Sequence, residues 1–231
     1  MNLAIEEAVA RAVGSSRSPP TIRFWRNINA VVAGRFQRAD YEVDLGECEK
    51  YGVSVIRRFT GGGAVYHDEG NLNCAISLPY KHPVIGKTVS TLYEILGASL
   101  VWALNSLGLR AYMSSNNIYI DGKKISGMAG AINWGVAFHH CTFLVSTNVD
   151  IMSKVLKPAN SKTSKKYVQS KREEVTTLKA QLGRDVSVSE TKLLLTKAFE
   201  AVWGIELIEG DLRNEEKLLA QELYEEKYLK Q

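Results

Sequence analysis

The most informative segment of this sequence is RRFTGGGAVYHDEGNLN, which runs from Arg57 to Asn73. Two arginines end a β-branched run at residues 53–56, and three consecutive glycines follow at residues 61–63. Because glycine has no Cβ, the backbone there can adopt positive φ angles and its N–H groups can approach an anion closely. An arginine can direct a rigid fork of donors to the same place. The pattern predicts an anion-binding turn between two strands, and a solvated glycine hairpin beside surface arginines is the plain structural alternative.

Two better-known phosphate-binding loops do not fit this chain. A P-loop requires a glycine five positions before Gly86-Lys87-Thr88, but Lys81 occupies that position. The dinucleotide fingerprint requires a third glycine where Tyr66 stands, and no other GxGxxG occurs in the sequence. A nucleotide bound by this chain therefore requires a different geometry.

The composition is that of an ordinary globular chain. Its 231 residues, 45% of them hydrophobic, suffice for one domain with a substantial core. The net charge of +4 suits anionic ligands and is far from a nucleic-acid-binding signature. The three cysteines show no CxxC spacing, which predicts neither a zinc site nor disulfides and favours a reducing cytoplasm. The most apolar segment, residues 92–109, contains Glu94 and Asn105, so we expect a buried core helix and no membrane partner.

The pattern along the chain predicts an α+β fold. Hydrophobic periodicity and caps predict helices at residues 2–13, 39–51, 92–109, 188–203 and 214–228. Apolar β-type runs predict strands at residues 21–25, 30–33, 53–58, 64–67, 73–78, 118–120, 124–126 and 136–145. Asp121-Gly122 lies between two of these runs and predicts a two-residue hairpin. Hairpins with segregated helices favour α+β over alternating βαβ units.

Four segments in this order resemble the lipoate protein ligases of the biotin and lipoate ligase family. They are NLAIEEA at residues 2–8, the stretch quoted above, NNI at 116–118 with GKKISGMA at 122–129, and FHH at 138–140 with Thr142. A biotin ligase would show an Arg/Gly-alternating loop in place of RRFTGGG, which disfavours that subfamily. The resemblance implies mixed and antiparallel sheets flanked by helices, a catalytic fold like that of class II aminoacyl-tRNA synthetases.

The resemblance also implies a two-step reaction. Lipoate and ATP, with Mg²⁺, would form lipoyl-AMP, and the lipoyl group would then pass to a lysine of a carrier domain. The expected carriers are the E2 subunits of 2-oxoacid dehydrogenases and the H protein of glycine cleavage. Larger bacterial relatives carry a C-terminal accessory domain beyond a segment resembling residues 222–228, so we expect residues 1–231 to form a single catalytic domain helped by a separate accessory protein. Relatives usually begin with a strand before NLAxEEA, so Met1 is either an internal start or a real truncation.

The family match assigns roles to individual residues. Lys124 would be catalytic, screening the repulsion between lipoate and the α-phosphate, whereas its neighbour Lys123 would face the other way because adjacent strand residues alternate. The ATP and adenylate site would comprise Arg58, Gly62, Gly63, Ala64, Val65, Tyr66, Asn71, Asn116, Lys124 and Ala129. The lipoate site would comprise Arg58, Gly62, Gly63, His67, Lys124 and His140, although an isolated histidine on a strand is more often structural. Val32, Val65 and Cys74 would supply an apolar tunnel.

The expected metal site differs from the family pattern. Mg²⁺ bound to ATP needs one or two protein oxygens, and Asn116 fits that role. Position 117 is Asn where the family usually has Asp, which removes a negative charge. Asp121 is a candidate for replacing that charge.

One charge block stands out, because residues 153–172 contain seven basic residues and no acidic one. It is either a solvated mobile loop or a loop that closes over a bound adenylate, and both can hold in succession. Its basic residues are Lys154, Lys157, Lys162, Lys165, Lys166, Lys171 and Arg172.

Two rival functions remain open at this point. An octanoyl or lipoyl transferase of the same fold would use a cysteine thioester, and Cys141 beside two histidines is the candidate nucleophile, although an inert buried thiol is the favoured alternative. A sensor that binds lipoate or nucleotide without turnover is the non-enzymatic rival, but a pure binder would not need Lys124.

Overall fold

The computed structural model describes residues 1–83, 88–157 and 167–230. The helices are α1 (Asn2–Gly14), α2 (Ala39–Glu42), α3 (Leu45–Lys50), α4 (Val89–Ser106), α5 (Val149–Val155), α6 (Leu178–Leu182), α7 (Val188–Trp203) and α8 (Asn214–Leu223), with a π-helical turn at Tyr224–Tyr228. The strands are β1 (Thr21–Trp25), β2 (Asn29–Ala33), β3 (Ser54–Arg57), β4 (Val65–Asp68), β5 (Asn71–Pro79), β6 (Ala111–Ser114), β7 (Asn117–Ile120), β8 (Lys123–Asn133) and β9 (Val136–Leu144).

The strands of the described residues form two sheets. The larger sheet is antiparallel, in the order β1-β5-β9-β8-β7-β6. The smaller sheet has the order β3-β2-β4, with β2 parallel to β3 and antiparallel to β4. The predicted α+β fold with mixed and antiparallel sheets is therefore confirmed.

Both faces of the larger sheet are buried, because successive apolar residues of its central strands point to opposite faces. Cys74 and Ile76 of β5 pack in the cluster that contains α4 and α7. Ala75 faces the opposite way and packs with Val9 and Val13 of α1. On this second side α1 also packs with Trp25 of β1, Val32 of β2 and the C-terminal helix. The face of β5 and β9 that turns toward α1 therefore also meets the smaller sheet.

Most predicted elements are confirmed within a few residues. The single helix predicted over residues 39–51 is wrong, because Val43 is extended (φ −127°, ψ 136°) and Asp44 caps a new helix by accepting from the Glu47 N–H. Strand β6 and helices α5 and α6 were not predicted. The apolar segment at residues 92–109 forms the buried helix α4, as expected. No helix of the described residues is both long and apolar enough to cross a membrane.

The glycine triplet lies between β3 and β4, as predicted, but it is not a hairpin. Both strands pair with β2 and not with each other, so the loop crosses from one side of β2 to the other. Gly62 takes φ +88°, a value that L-residues rarely adopt. The second predicted turn is a true hairpin, with φ +49° at Asp121 and +78° at Gly122.

Candidate functional site

A cavity of about 740 Å³ is lined by residues of both sheets. The smaller sheet contributes Val32 of β2 and His67 of β4, and the larger sheet contributes Asn73 of β5 and His140 of β9. The glycine loop reaches the cavity through Gly63. Residues far apart in the sequence thus share one space.

Arg58 is a buried cation on the cavity wall, with 5% of its surface exposed. Its guanidinium donates to the carbonyls of Gly61 at 2.7 Å and Gly63 at 2.8 Å, which holds the glycine loop in place. Among the described residues, no carboxylate lies within the 4.0 Å of an ion pair with Arg58. Burial lowers the pKa of Arg58 to about 10, so the group stays charged at neutral pH. A buried charge without a counter-ion favours the binding of an anion.

A chain of hydrogen bonds connects Arg58 to helix α1. Arg58 Nε donates to Thr60 Oγ1 at 2.9 Å, and Thr60 Oγ1 lies 2.8 Å from His140 Nε2. His140 Nδ1 lies 3.0 Å from Glu6 Oε2, while Glu6 Oε1 accepts from Trp25 Nε1 at 2.7 Å. Because the carboxylate accepts, Nδ1 carries a proton, and in a neutral ring Nε2 then accepts from the Thr60 hydroxyl. The network orients the Arg58 side chain and connects it to α1, a connection that no local sequence pattern indicated.

Lys124 and its neighbour Lys123 point in opposite directions, as predicted. Lys124 lines the cavity with its side chain 24% exposed, and burial lowers its pKa. Lys123 does not line the cavity, and its Nζ pairs with Glu174 Oε1 at 2.7 Å. A Cβ at Gly127 would lie 3.0 Å from Lys124 Cε, so glycine at this position leaves space for the Lys124 side chain along β8.

Glu173 is a cavity residue that the sequence analysis missed. Its Oε1 accepts from the Tyr119 hydroxyl at 2.8 Å, and its Oε2 accepts from Asn117 Nδ2 at 3.2 Å. Lys124 Nζ lies 3.8 Å from the same Oε2. Glu173 is one of the first two acidic residues after the basic block, and that position is the sequence feature that could have indicated a site residue here.

Residues near Ser170 cover the glycine loop. Ser170 Oγ accepts from the Ala64 N–H at 2.8 Å and from Gln37 Nε2 at 3.0 Å. The Ser170 N–H donates to Glu42 Oε2 at 3.1 Å, which ties this segment to α2. A Cβ at Gly63 would lie 2.9 Å from Ser170 Oγ, so the close approach requires glycine. The Ala64 N–H, a predicted phosphate donor, is therefore occupied by Ser170 in this structure.

The basic block is only partly available for an anion. Arg172 lines the cavity but pairs with Glu42 Oε2 at 3.3 Å, and Lys157 Nζ donates to the Asp40 carbonyl at 3.0 Å. Lys154 Nζ donates to the Tyr51 hydroxyl at 2.9 Å. Lys162, Lys165 and Lys166 lie outside the described residues. Closure of this loop over a ligand stays a prediction.

Two residues of the cavity wall each carry a buried polar atom without a hydrogen-bond partner. His67 is neutral because burial, with the nearby charge of Arg58, lowers its pKa to about 3. Its Nε2 and the Nδ2 of Asn73 are buried without a hydrogen-bond partner, and both residues line the cavity. Asn71 does not line it, and instead donates to Asn73 Oδ1 at 3.0 Å. Asn73, which was not among the predicted site residues, thus lines the cavity where Asn71 does not.

Two of the three residues predicted for the apolar tunnel line the cavity. Val32 and Val65 line the cavity, but Cys74 does not. Cys74 faces the α4 side of the sheet because neighbouring Asn73 takes the cavity side. Cys74 pairs across the strands with Cys141, which packs in the same core cluster, is 5% exposed and reaches the cavity edge.

The histidines flanking Cys141 do not activate it. His140 lies on the opposite face of β9, and both of its ring nitrogens are bonded to Glu6 and Thr60. Both ring nitrogens of His139 are buried without a partner, so neither contacts the Cys141 sulfur. Neither flanking histidine therefore supplies the base that a thiol nucleophile requires.

The predicted metal ligand lies at the cavity, but its proposed helper does not. Asn116 lines the cavity and donates its Nδ2 to the Met128 carbonyl at 2.6 Å, which leaves Oδ1 for a cation. Asp121 is exposed in the hairpin turn and absent from the cavity wall, so it does not replace the charge missing at Asn117. No group of three or more His, Cys, Asp or Glu side chains suited to a metal occurs in the described part of the chain.

The cavity thus brings together most of the predicted site residues. Gly62, which is exposed, and Asn71, which is buried, are the exceptions, since neither lines the cavity. The residues on the wall are Arg58, Gly63, Ala64, Val65, Tyr66, His67, Asn116, Lys124, Ala129 and His140.

Comparison with known sequences gives one family. A family model described as the lipoyl protein ligase A/B catalytic domain matches residues 1–200. The lipoate-protein ligase A subunit 1 of Thermoplasma acidophilum is 34% identical over 99% of this chain and 88% of that protein. The octanoyltransferase LipM of Brevibacillus brevis is 28% identical over 99% of this chain and 91% of that protein.

Comparison with solved structures agrees. Protein Ta0514 of T. acidophilum, solved with bound lipoic acid, has a TM-score of 0.84 and 32% identity, covering 99% of this chain and 90% of that one. A bipartite lipoate protein ligase of T. acidophilum has a TM-score of 0.83 and 35% identity, over 98% and 87% of the two chains. A lipoate-protein ligase A bound with ATP has a TM-score of 0.83 and 32% identity, over 97% and 89%.

Proposed function

Because the chain belongs to the lipoyl protein ligase A/B catalytic domain family, we propose that it activates lipoate with ATP and transfers the lipoyl group to a lysine of a carrier domain. Solved relatives of this fold carry lipoic acid in one case and ATP in another. In the first step a carboxylate oxygen of lipoate bonds to the α-phosphorus and pyrophosphate leaves. In the second step the carrier amine bonds to the acyl carbon, loses a proton, and AMP leaves.

One observation carries the proposal: two cations, Arg58 and Lys124, line the same cavity as the glycine loop. Adenylation joins two anions, so a site must supply positive charge where the phosphorus gathers negative charge. Arg58 is buried and pairs with no carboxylate of the described residues, and a ligand phosphate or carboxylate would supply its missing counter-ion. A mobile ammonium such as Lys124 suits contact with two reacting groups in turn.

The acyl chain would occupy the part of the cavity lined by Val32, Val65 and Leu144. A cavity of about 740 Å³ lies within the range of small-molecule sites and leaves room for a nucleotide beside an acyl tail. His67 and His140 also line the cavity and would be neighbours of that tail. Neither is needed as a base, because the attacking carboxylate is already ionised.

Mg²⁺ fits the site through the oxygen that Asn116 leaves available. The ion would screen the phosphate charges and keep most of its ligands as water and phosphate oxygens. Glu173 is the one carboxylate on the described cavity wall.

The chain would work with other proteins. A similar ligase from T. acidophilum is bipartite and was studied with an E2 lipoyl domain. We infer that residues 1–231 act as one catalytic domain that needs a separate accessory protein for the complete reaction. Lipoylation of a carrier by the purified chain alone, at a rate unchanged when accessory protein is added, would refute this need.

The second candidate is octanoyl transfer through a thioester on Cys141. The 28% identity to an octanoyltransferase and the position of Cys141 at the cavity edge favour it. The lack of a contact between that sulfur and either flanking histidine counts against it.

Lipoate-dependent exchange of radiolabel between pyrophosphate and ATP tests the proposed function. A ligase exchanges label only when lipoate or a similar acid is present, because exchange requires reversible adenylation. A thioester transferase or a binding protein exchanges none. Absence of exchange with lipoate and with octanoate, in a chain that binds both, would overturn the proposal.

A further inference from the structure

The described cavity wall is rich in cations and contains one carboxylate. The cations are Arg58, Lys124, Lys171 and Arg172, and the carboxylate is Glu173. A site that accepts two anionic reactants is expected to exclude negative side chains, because they would compete for the same cations. The presence of Glu173 therefore requires a reason.

Glu173 is held firmly on the wall. Tyr119 and Asn117 each donate to one of its carboxylate oxygens, at 2.8 and 3.2 Å. Its backbone segment lies beside β8, since the Lys124 N–H donates to the Glu174 carbonyl at 2.8 Å and the Thr176 N–H donates to the Lys124 carbonyl at 2.9 Å. The carboxylate is 15% exposed, so its position is set by these contacts.

The same carboxylate neutralises Lys124. Lys124 Nζ lies 3.8 Å from Glu173 Oε2, and within the described residues no other carboxylate forms an ion pair with this ammonium. Lys171 Nζ, at 3.4 Å from Oε1, is 86% exposed and adds a second, solvated cation. Burial acts to raise the pKa of Glu173, but the Tyr119 hydrogen bond and the charge of Lys124 outweigh it, so the pKa lies below its usual value.

We propose that Glu173 is an internal counter-anion of Lys124, which the carboxylate or phosphate of the ligand must replace. This inference rests on the proposed function, in which Lys124 contacts both reacting anions. With the site empty, the pair keeps the half-buried ammonium neutralised and directed at the cavity. A ligand that places a single weak anion at Lys124 gains little binding free energy by replacing Glu173, whereas a polyphosphate gains more. Glu173 thereby sets a threshold of negative charge for occupancy, which makes it a specificity-determining residue.

The adjacent ion pair provides a matched control. Glu174 pairs with Lys123 at 2.7 Å outside the cavity, and its side chain is 70% exposed. Glu173→Gln and Glu174→Gln therefore remove the same charge one residue apart. Glutamine at position 173 keeps an oxygen to accept from Tyr119, which limits any loss of folding.

Calorimetric titration with inorganic pyrophosphate and with ATP, in buffer containing EDTA, tests the proposal. We expect Glu173→Gln to bind both about tenfold more tightly than the parent, since one competing negative charge is removed from the site. Glu174→Gln should stay within about twofold of the parent, because exposed pairs contribute little. Unchanged or weaker binding by Glu173→Gln in EDTA overturns the proposal. Weaker binding that appears only when Mg²⁺ is added also overturns it, because Glu173 would then be a metal ligand.

A second measurement separates this inference from the proposed function. The pH dependence of amine labelling at Lys124, read by peptide mass spectrometry, reports the ammonium pKa without any substrate. Loss of the Glu173 charge should lower that pKa further, and Glu174→Gln should leave it unchanged. A Lys124 pKa that is the same in Glu173→Gln and the parent sinks the counter-anion role, even if both proteins carry out lipoate-dependent exchange. A lowered pKa in a chain that binds neither ATP nor pyrophosphate would refute the function and leave the ion pair standing.

Discussion

His140 Nδ1 lies 3.0 Å from Glu6 Oε2, so a carboxylate on the first helix holds the ring that touches Thr60 beside Arg58. Glu6 is 1% exposed and also accepts from Trp25 Nε1. The first helix thus supports the anion site through this chain of hydrogen bonds.

Removal of the Glu6 carboxylate should destabilise the fold. Glu6→Ala leaves Trp25 Nε1 and His140 Nδ1 buried without an acceptor, which should cost about 2–4 kcal/mol of unfolding free energy. Glu6→Gln keeps an oxygen for Trp25 and should cost about 1–2 kcal/mol. Guanidinium denaturation measures both, and equal losses for the two variants would contradict the hydrogen-bond network.

Replacement of the cavity lysine should abolish adenylation without unfolding the chain. Lys124→Ala should lower lipoate-dependent pyrophosphate exchange by about 10²–10³-fold, the effect of losing one preorganised electrostatic donor. Lys123→Ala is the matched control and should stay within about twofold, because its ammonium pairs with Glu174 outside the cavity. Parent-like exchange by Lys124→Ala would remove the mechanistic role assigned to this residue.

The backbone at Gly62 should not tolerate a side chain. Gly62 has φ +88°, and a Cβ there would lie 3.0 Å from Arg58 Nη2. Gly62→Ala should cost about 2–3 kcal/mol and weaken ATP binding, because the loop and the guanidinium must both shift. Gly108→Ala has a similar φ of +80° with open space around it, and should cost about 1 kcal/mol with ATP affinity intact. Similar effects of the two substitutions would show that the contact with Arg58 is unimportant.

Substitution of the cavity-edge thiol separates the two candidate reactions. Cys141→Ser should keep lipoate-dependent exchange within about threefold, because adenylation needs no side-chain nucleophile. Acyl transfer that falls more than about 10³-fold, together with loss of a thioester detected by mass spectrometry in the parent, would favour the transferase instead. Cys48→Ser, at a buried cysteine remote from the cavity wall, controls for the loss of a packed thiol.

Acidification should destabilise the protein through its buried neutral histidine. His67 has its pKa lowered to about 3 in the folded chain, against about 6.5 when unfolded. Between these values the unfolded chain binds more protons, so stability is complete above about pH 6.5 and falls as the pH drops. The contribution of His67 should fall by about 2 kcal/mol between pH 6.5 and 5. Denaturation of the parent and of His67→Asn at pH 7 and pH 5 measures it, and an equal pH dependence in both would contradict a buried neutral ring.

The predictions that rested on local chemistry were confirmed. The Asp121-Gly122 pair forms the predicted hairpin because its two positive φ angles are a property of the turn itself. That hairpin, together with the alternation of strand side chains, places Lys124 on the cavity and Lys123 outside. The family resemblance is confirmed by the match to residues 1–200.

The predictions that failed concern choices made between distant segments. Residues 39–51 have helical composition, yet Val43 is extended and bridges to Leu156 across the chain. The strands beside the glycine triplet, whose partners were not predicted, pair with β2 and not with each other, which is another choice between distant segments. Cys74 was assigned to the tunnel, but Asn73 faces the cavity in its place, and strand composition does not indicate which face lies inward.

The order of amino acids alone specifies the family, the α+β class, the glycine loop and the inward lysine, because turn chemistry, strand alternation and motif spacing are local properties. Only the tertiary structure places Glu173 against Lys124, Glu6 against His140 and Ser170 over Gly63. These contacts join residues that are distant in the sequence, and the pairing and packing that bring them together are selected by the whole core and not by any one segment.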